Sequence, residues 1–589
     1  MALFKRIQLL WKETGTTRDG APEPSEAKFR TLLLTVLMLV GPPLLLFVYF
    51  KTMFPGLTNP DALDYAQLGR NLSGGHGFVT SILRPLALTH GSNPLAQPDV
   101  THGPLFPFLL ALSFGVLGAK DTTVAIVSGL FYLLTVPVLY RLGVRVFSRA
   151  VGLLAALIFV FNALMLEYAS SGLPITLYVF LMTCLLLVVF NIATVSRHAD
   201  PKLPRSQYVL AGVLMALLFL TEPLFFWVVP FLVGALYALT PGRKMPGMLA
   251  LLAPMALLML PWMMRNMTLT GNPIFGLRGT EIWMNTKGHY PGYTAYRQFP
   301  ADIIPGVEVF KAVVQKLLLG AGQIIQAFPQ VTASWVLAFF LPCLLFRFTD
   351  TATNALRRVM MLCLLGLFVG SLVFRVQMPL FVAIIPTMLI FSVAYLLHLT
   401  QQAKLNRASL VLVTSLMAAA IGFPLLSDML LIEKTQGLKE AGTARMLGKA
   451  MQRDEVALSD QPWIVAWYAD RPAIWVPMID VKIGDIRKQF PKTRWLFLTD
   501  NTRTLSPQWD AIYNVFARWD NAYTQALAEK KTLNSFSLGG KAFPLLEALS
   551  GFTAVAPAKD AATSVVIAAV PMAEQKVEMR AEPGGAVQR

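Results

Sequence analysis

The sequence predicts a mainly α-helical protein that crosses a membrane many times and ends in a small α/β domain. Three observations carry that prediction. Of the 589 residues, 55% are hydrophobic and only 14% are charged, where an average soluble domain has about 25% charged residues; the mean hydropathy is +0.56. Apolar runs of spanning length recur up to residue 427, about eleven in all. Beyond residue 428 the composition changes to short branched and aromatic runs separated by charged residues.

The apolar runs lie at residues 31–50, 122–140, 150–166, 175–194, 207–221, 223–240, 246–263, 331–346, 358–374, 379–398 and 408–427. Residues 1–30, with MALFKRIQLLWKETG at their start, are too broken by charge for a signal sequence and read as a cytoplasmic segment with an amphipathic stretch. The first run then acts as an uncleaved anchor. Cys184, Cys343 and Cys363 all fall inside apolar runs, where cysteine behaves as a small hydrophobe, so neither a disulfide nor a metal framework is implied.

A formal charge of +17 would suit a nucleic-acid binder, but the basic residues recur where a polytopic protein needs them. With the amino terminus inside, the inner loops contain Lys28 and Arg30, Arg141 and Arg145, Arg197 and Lys202, Arg243 and Lys244, Arg357 and Arg358, and Lys404 and Arg407. The short outer turns near Glu167 and Glu222 have no Lys or Arg, so charge fixes the orientation and the nucleic-acid reading falls away. An odd number of spans places the carboxyl terminus outside.

Two long connections share that outer side, residues 51–120 and 264–330, within a membrane domain of residues 31–427. The first opens with TNPDALDYAQLGRNLSGGHGF, residues 58–78. Asp61 and Asp64 are three apart, so a helix here puts them on one face with Tyr65 beside them and Arg70 further along. An acid in the first turn is also ordinary helix chemistry. Residues 103–118, GPLFPFLLALSFGVLG, are apolar but short for a span and read as a helix along the interface. The second connection is rich in Gly, Pro and aromatics and reads as an irregular lid.

Ionisable groups beside spans are costly unless paired or facing water, which makes Asp61, Asp64, Arg70, Arg84, His102, Glu167, Glu222, Arg265 and Arg375 the functional candidates. Arg265 lies in PWMMRN, Pro261 to Asn266, followed by Gly271-Asn272-Pro273. Beyond residue 428 the run LKEAGTARMLGKAMQ reads as a helix, and PWIVAWYA, AIWVPM and RWLFLTD read as strands of an outer α/β domain, residues 428–572. Residues 573–589 read as a disordered tail. No glycine-rich phosphate loop follows any of these strands.

Several stretches together resemble a known family. Asp61 four residues before Tyr65, then Ala66-x-x-x-Arg70-Asn71-Leu72, Gly75-x-Gly77-Phe78 and the GPLFPFLLAL run resemble the first outer loop of the GT-C glycosyltransferases, which include protein O-mannosyltransferases and the lipid A aminoarabinose transferase. PWMMRN with its Gly-Asn-Pro, TEPLFFW around Glu222, and residues 459–477 are similar to later features of the bacterial branch. There are two departures. His102 stands where the aminoarabinose transferases have a lysine, and Leu173-Pro174 where many relatives have an acid.

The resemblance implies a GT-C fold in the bacterial inner membrane, with the active site and the last domain on the periplasmic side. It implies a polyprenyl-phosphate-linked sugar as donor and a hydroxyl of a lipid, glycan or protein as acceptor. Asp61 takes the family's acidic position as general base of an inverting transfer, with Asp64 as a second carboxylate. Arg265, Arg375, His102 and Arg84 are the expected phosphate contacts, and Tyr65, Arg70, Glu222, Trp262 and Asn266 the supporting residues. The scheme requires no cofactor; a divalent metal is possible but not indicated. A transporter or flippase of a lipid-linked sugar and a non-catalytic envelope assembly protein are the alternatives, the first disfavoured by the near absence of ionisable residues at mid-membrane.

Overall fold

The computed structural model describes residues 24–90, 93–195, 203–240, 242, 244–283, 294–298, 309–331, 334–403, 407–431, 437–478, 482–506, 509–510, 513, 537–538, 541–542, 553–554 and 566–569. The amphipathic stretch expected within residues 1–23, the middle of the second outer connection and the tail 573–589 lie outside them. By packing the chain divides into two units, residues 1–81 with 86–438, and residues 82–85 with 439–589.

Every apolar run falls on helix. Among the described residues, five helical stretches are long and apolar enough to cross a membrane: Asp121–Val146, Ile175–Val195, Lys244–Thr270, Thr351–Val373 and Met378–Gln402. Two bent pairs bring the number to seven if each counts as one span: Arg149–Val160 with Ala163–Ser170, bent by 58°, and Val313–Val331 with Val336–Leu345, bent by 113°. The first bend has a local cause. Asn162 leaves the helix with extended backbone and caps the next one, its side chain accepting from Met165 N at 3.1 Å. The helices Arg205–Thr221 and Val229–Leu239, where single spans were also expected, are shorter.

Helix pairs approach closely where small residues face each other, as is usual in membranes. A Cβ on Gly143 would lie 2.6 Å from Gly152 Cα, so Asp121–Val146 and Arg149–Val160 touch along their backbones. Tyr132 reaches across the same pair to donate to Val160 O at 2.7 Å. On the first connection, the helix Leu105–Leu117 crosses Pro60–Ser73 where a Cβ on Gly69 would meet Leu110 Cβ at 2.7 Å. At 13 residues Leu105–Leu117 is about 20 Å long, less than the roughly 30 Å of a bilayer core.

The irregular lid needs correction. Residues 309–331 form a 23-residue helix, VFKAVVQKLLLGAGQIIQAFPQV. Its apolar positions recur at helical spacing between Lys and Gln, a pattern that a search for uniformly apolar runs passes over.

In the second unit the strand order is Ile82–Leu83, Ala473–Trp475, Val456–Ser459, Thr493–Leu498, Val566–Ala569, Thr553–Ala554. The first four are parallel and the last two pair antiparallel. Helices Glu440–Ala450 and Lys482–Gln489 flank the strands in sequence. PWIVAWYA, expected as a strand, is instead a helical turn, Pro462–Ile464 running into a π-turn at Val465–Ala469. The strand begins earlier, at Val456, and Pro462 starts the helix, where a missing N–H costs nothing. The turn ends on Asp470 at φ 53°, a left-handed conformation that Asp tolerates.

Asp460 follows the central strand and is buried, with Thr499 donating to it from both its N–H at 3.0 Å and its hydroxyl at 2.6 Å. Burial nevertheless pushes its carboxyl up to about 6, against the Thr499 hydrogen bonds, which pull it down. A folded-state value above the unfolded one means that this group stabilises the fold fully below about pH 4 and ceases to do so as pH rises through 6, a loss of up to roughly 3 kcal/mol. Asp460→Asn keeps an acceptor for Thr499 N and should abolish that loss. Hydrogen exchange of the Val456–Ser459 and Thr493–Leu498 strands in the whole protein, corrected for intrinsic rates at pH 4 and 7.5, checks this; an equal weakening in the variant would contradict it.

Candidate active site

The helix Pro60–Ser73 is built as its sequence dictates. Asn59 caps it, accepting from Asp61 N at 2.9 Å; Pro60 fills the first position, and Gly74 closes the end by donating to Arg70 O at 2.9 Å. Asp61 in the first turn is exposed, while Asp64 and Tyr65 are buried at 3% and 6% exposure. Arg70 is half-buried in the last turn.

Asp64 is held by a polar lattice. Gln67 Nε2 donates to Asp64 Oδ1 at 2.9 Å and to Thr80 Oγ1 at 3.0 Å, and Gln67 Oε1 accepts from Ser81 N at 2.9 Å and Asn71 Nδ2 at 3.2 Å. Asn71 also donates to Val79 O at 2.9 Å. The glycine-rich turn is thereby folded back on the helix that precedes it. On the other side His102 Nε2 approaches Asp64 Oδ2 at 3.6 Å, and the ring packs against Tyr65 with centroids 4.6 Å apart.

His102 is thus placed between carboxylates, since its Nδ1 faces Asp99 at 3.4 Å. A donor phosphate brought to that ring would meet two negative groups, which disfavours the phosphate contact expected of it.

The two long connections, residues 51–120 and 264–330, meet here. Leu277 N donates to Val100 O at 2.9 Å, and a Cβ on Gly276, which has φ +54°, would lie 2.5 Å from that same oxygen. On the neighbouring turn a Cβ on Gly103 would lie 2.3 Å from Leu220 O and 2.8 Å from Thr221 O. Only glycine fits either contact without a shift of backbone.

Arg265 and Trp262 come from the end of Lys244–Thr270. The guanidinium lies 4.6 Å from the Trp262 ring and 5.3 Å from the Phe78 ring, and donates to Phe78 O at 3.3 Å and Asn266 Oδ1 at 3.4 Å. Asp99 acts on it electrostatically. The Gly-Asn-Pro that follows is a helix stop: Gly271 at φ +72° donates to Met267 O at 2.9 Å, and Asn272 Oδ1 accepts from Phe275 N at 3.0 Å. Arg375 is half-buried just beyond Thr351–Val373, and Arg84 is half-buried after the strand Ile82–Leu83 of the second unit.

Glu222 pairs with Arg278, a residue not singled out by sequence. Arg278 Nε also donates to Glu281 Oε1 at 3.3 Å; Tyr296 donates to that oxygen at 2.7 Å, and Lys316 Nζ donates to the carbonyls of Glu281, Ile282 and Val373 at 2.8 Å each. Burial opposes the charge on Arg278, but Glu222 and Glu281 outweigh it and hold the guanidinium above its ordinary range. Tyr65 feels the same group. Burial, followed by Glu222 and Asp61, pushes its hydroxyl well above the usual tyrosine range. Among the described residues no three His, Cys, Asp or Glu side chains converge as a metal site.

Comparison with known proteins agrees with this architecture. ArnT from Cupriavidus metallidurans bound to undecaprenyl phosphate is similar over 92% of this chain and 98% of its own, at TM-score 0.53 and 13% identity. The Archaeoglobus fulgidus oligosaccharyltransferase in the apo form matches 81% of this chain and 71% of its own, at TM-score 0.54 and 11% identity. The chain has the GT-C fold. The archaeal oligosaccharyltransferase AglB of that organism, in complex with an inhibitory peptide and a dolichol-phosphate, is similar at TM-score 0.52 and 11% identity, over 82% of this chain and 71% of its own. Residues 101–266, less than a third of the chain, match the family model for dolichyl-phosphate-mannose-protein mannosyltransferase. A comparison with curated protein sequences found no match.

The GT-C resemblance read from the motifs is therefore borne out, in an integral membrane protein. Within this GT-C chain the family match begins one residue before His102 and ends on Asn266, so it includes Glu222, Trp262 and Arg265 but not Asp61 or Asp64. Asp99, Gln67, Arg278, Glu281 and Lys316 were missed by sequence reasoning. The signal for Lys316 was present, a single cation in the apolar stretch VVQKLLLGAG.

Removing Arg278 would leave Glu222 and Glu281 buried without their cation, a class of change that costs about 3–5 kcal/mol. Arg278→Leu should lower the unfolding temperature in detergent markedly, and Arg278→Lys less. If Arg278→Leu unfolds at the wild-type temperature, the network contributes nothing to stability.

Proposed function

We propose that this protein is a glycosyltransferase that moves a sugar from a polyprenyl-phosphate donor to an acceptor hydroxyl at the outer face of a bacterial inner membrane. The observation that carries the reading is the pair of carboxylates on Pro60–Ser73, one exposed and one buried, heading a loop that is fastened to Arg265 through Phe78 O and whose Tyr65 lies in the field of Glu222 and Arg278. The solved neighbours support the donor class, since ArnT is bound to undecaprenyl phosphate and AglB to a dolichol-phosphate. The acceptor is a lipid, a glycan or a protein.

In this mechanism Asp61 takes the proton of the acceptor hydroxyl as its oxygen attacks the anomeric carbon. The bond from that carbon to the phosphate oxygen breaks, its electron pair leaves with the phosphate, and the configuration inverts. A phosphate departs without protonation, so fixed cations are what the leaving group needs. Arg265, braced on both sides by Trp262 and Phe78, is assigned to that task, with Arg375 as the second cation. Asp64, too buried to meet the acceptor, orients the helix that bears Asp61.

Basic inner loops support an orientation with the amino terminus in the cytoplasm and the last domain outside. Alkaline phosphatase fused near residue 290 or after residue 440 should therefore be active, and fused near residue 200 or 404 inactive. The reverse pattern would invert the scheme.

Loss of a general base typically slows transfer by about 10²- to 10⁴-fold. Asp61→Asn should reach the membrane and bind donor yet transfer almost no sugar, whereas Arg265→Gln should weaken donor affinity. The decisive measurement is mass spectrometry of glycolipids, envelope polysaccharides and glycoproteins from a deletion strain carrying wild type or Asp61→Asn. A sugar restored only by the wild type identifies product and base together; equal restoration removes Asp61 from the role, and an unchanged glycan profile on deletion removes the transferase reading.

A further inference from the structure

Asp64 continues into two further side chains, His102 and Asp99, to which the proposed transfer step assigns no part. Asp99 organises its own turn: Oδ2 accepts from Thr101 N at 3.2 Å and His102 N at 2.9 Å, and Oδ1 from Thr101 Oγ1 at 2.8 Å. The turn aims His102 Nδ1 at Thr101 Oγ1, 2.9 Å away, and at the Asp99 carboxylate, 3.4 Å away. The other ring nitrogen, Nε2, faces Asp64 Oδ2 at 3.6 Å. All three side chains are nearly out of water, at 10%, 1% and 4% exposure for His102, Asp99 and Asp64.

A neutral imidazole has one N–H and one lone pair, so in this position one carboxylate goes without a facing N–H: the Nδ1–H form turns its lone pair to Asp64, and the Nε2–H form accepts from Thr101 Oγ1 and offers no proton to Asp99. The imidazolium turns an N–H to each end, Nδ1–H within reach of Thr101 Oγ1 and Asp99 and Nε2–H facing Asp64 at ion-pair distance, and its charge compensates both carboxylates. We propose that Asp99 is a positioning residue that holds His102 as an imidazolium bridging Asp99 and Asp64, and that this bridge fixes the Asp64 side of the catalytic helix for transfer. Its part in transfer rests on the reaction proposed above; the bridge itself does not.

The groups facing the ring have opposing effects. Asp64 from Pro60–Ser73 and Asp99 from its own turn favour the cation, and Tyr65 lies edge-on against it. Arg265, at the end of Lys244–Thr270, acts on Asp99 and offsets part of that carboxylate's field. Glu222 and Arg278, beyond Tyr65, act on the phenol with opposite signs. Two carboxylates 3.4 and 3.6 Å from the ring nitrogens outweigh one guanidinium held to Phe78 O and Asn266.

The direction of the pH effect follows. A histidine whose folded-state value is raised by carboxylates keeps its bridge at low pH and loses it as pH rises through that value. The bridge then fails on the alkaline side, where Asp64 and Asp99 face each other across a neutral ring. The turn is also the one whose Val100 O accepts from Leu277 N and whose Gly103 is pressed on Leu220 O, so its release loosens the junction of both outer connections.

The test is the pH profile of kcat for wild type, Asp99→Asn and His102→Gln in the full-length protein, with hydrogen exchange of residues 99–103 measured beside it. Asp99→Asn keeps the shape and removes one charge, so the alkaline limb of kcat should move down by about one pH unit, with KM little changed. His102→Gln should have no such limb. Wild-type exchange at 99–103 should rise over the same pH range as kcat falls, earlier in Asp99→Asn and without pH dependence in His102→Gln. A limb that stays in place in Asp99→Asn, with kcat lowered equally at every pH, would reduce Asp99 to a structural residue and overturn the proposal, as would a limb surviving in His102→Gln. If wild type transfers no sugar, the transferase reading fails on its own, and exchange alone decides the bridge: protection independent of pH refutes it.

Discussion

Charge removed from water must be compensated where it lies, and the compensation of Arg278 is the constraint on which the long connections of the membrane unit depend. Its partners come from both sides in sequence, Glu222 from the turn after Arg205–Thr221 and Glu281 from its own 3-10 turn. Glu281 in turn accepts from Tyr296, and its carbonyl accepts from Lys316, which also closes on Val373 O at the end of another span. Five separated stretches are thus fastened at one point. Such a network adds little net stability, because desolvation offsets attraction, but breaking any part of it is expensive. Its effect is to select one arrangement of connections that have few regular elements of their own.

That arrangement in turn fixes the carboxylate helix. Leu277 N, next to Gly276, donates to Val100 O, Val100 is next to Asp99, and Asp99 organises the turn that carries His102 to Asp64. Arg265 approaches the same loop from a third direction, through Phe78 O. The glycines at 103 and 276 are where this docking leaves no room for a side chain, so small residues at two turns matter as much as the charged ones they bring together.

What the sequence showed and what it hid divide along the range of the forces involved. Spans such as Ile175–Val195 are legible because an unbroken apolar run has one meaning in a long chain of low charge. The carboxylate helix was legible too, through Asn59, Pro60 and Gly74 acting within a few residues of one another. The 309–331 helix was not, because it alternates polar and apolar faces, and PWIVAWYA was misread because branched and aromatic residues also suit a buried helical turn once Pro462 starts it. Arg278, Glu281 and Asp99 stand in loops that look ordinary, and each gains its meaning from a partner dozens of residues away or from a short turn around it. Their chemistry exists only after folding.

The division between Asp61 and Asp64 shows how little sequence distance is needed to separate two environments. Both lie on one stripe of one helix, with Tyr65 and Leu68, so the face they occupy does not distinguish them. Axial position does. Asp61 belongs to the first turn, where Asn59 and Pro60 are exposed as well, while Asp64 is one turn deeper, under the side chains of His102 and Gln67. A carboxylate in the first position is open to solvent; one in the second is held by its neighbours. The order in which the chain presents them, exposed first and buried second, is therefore set by the direction in which the helix runs into the fold.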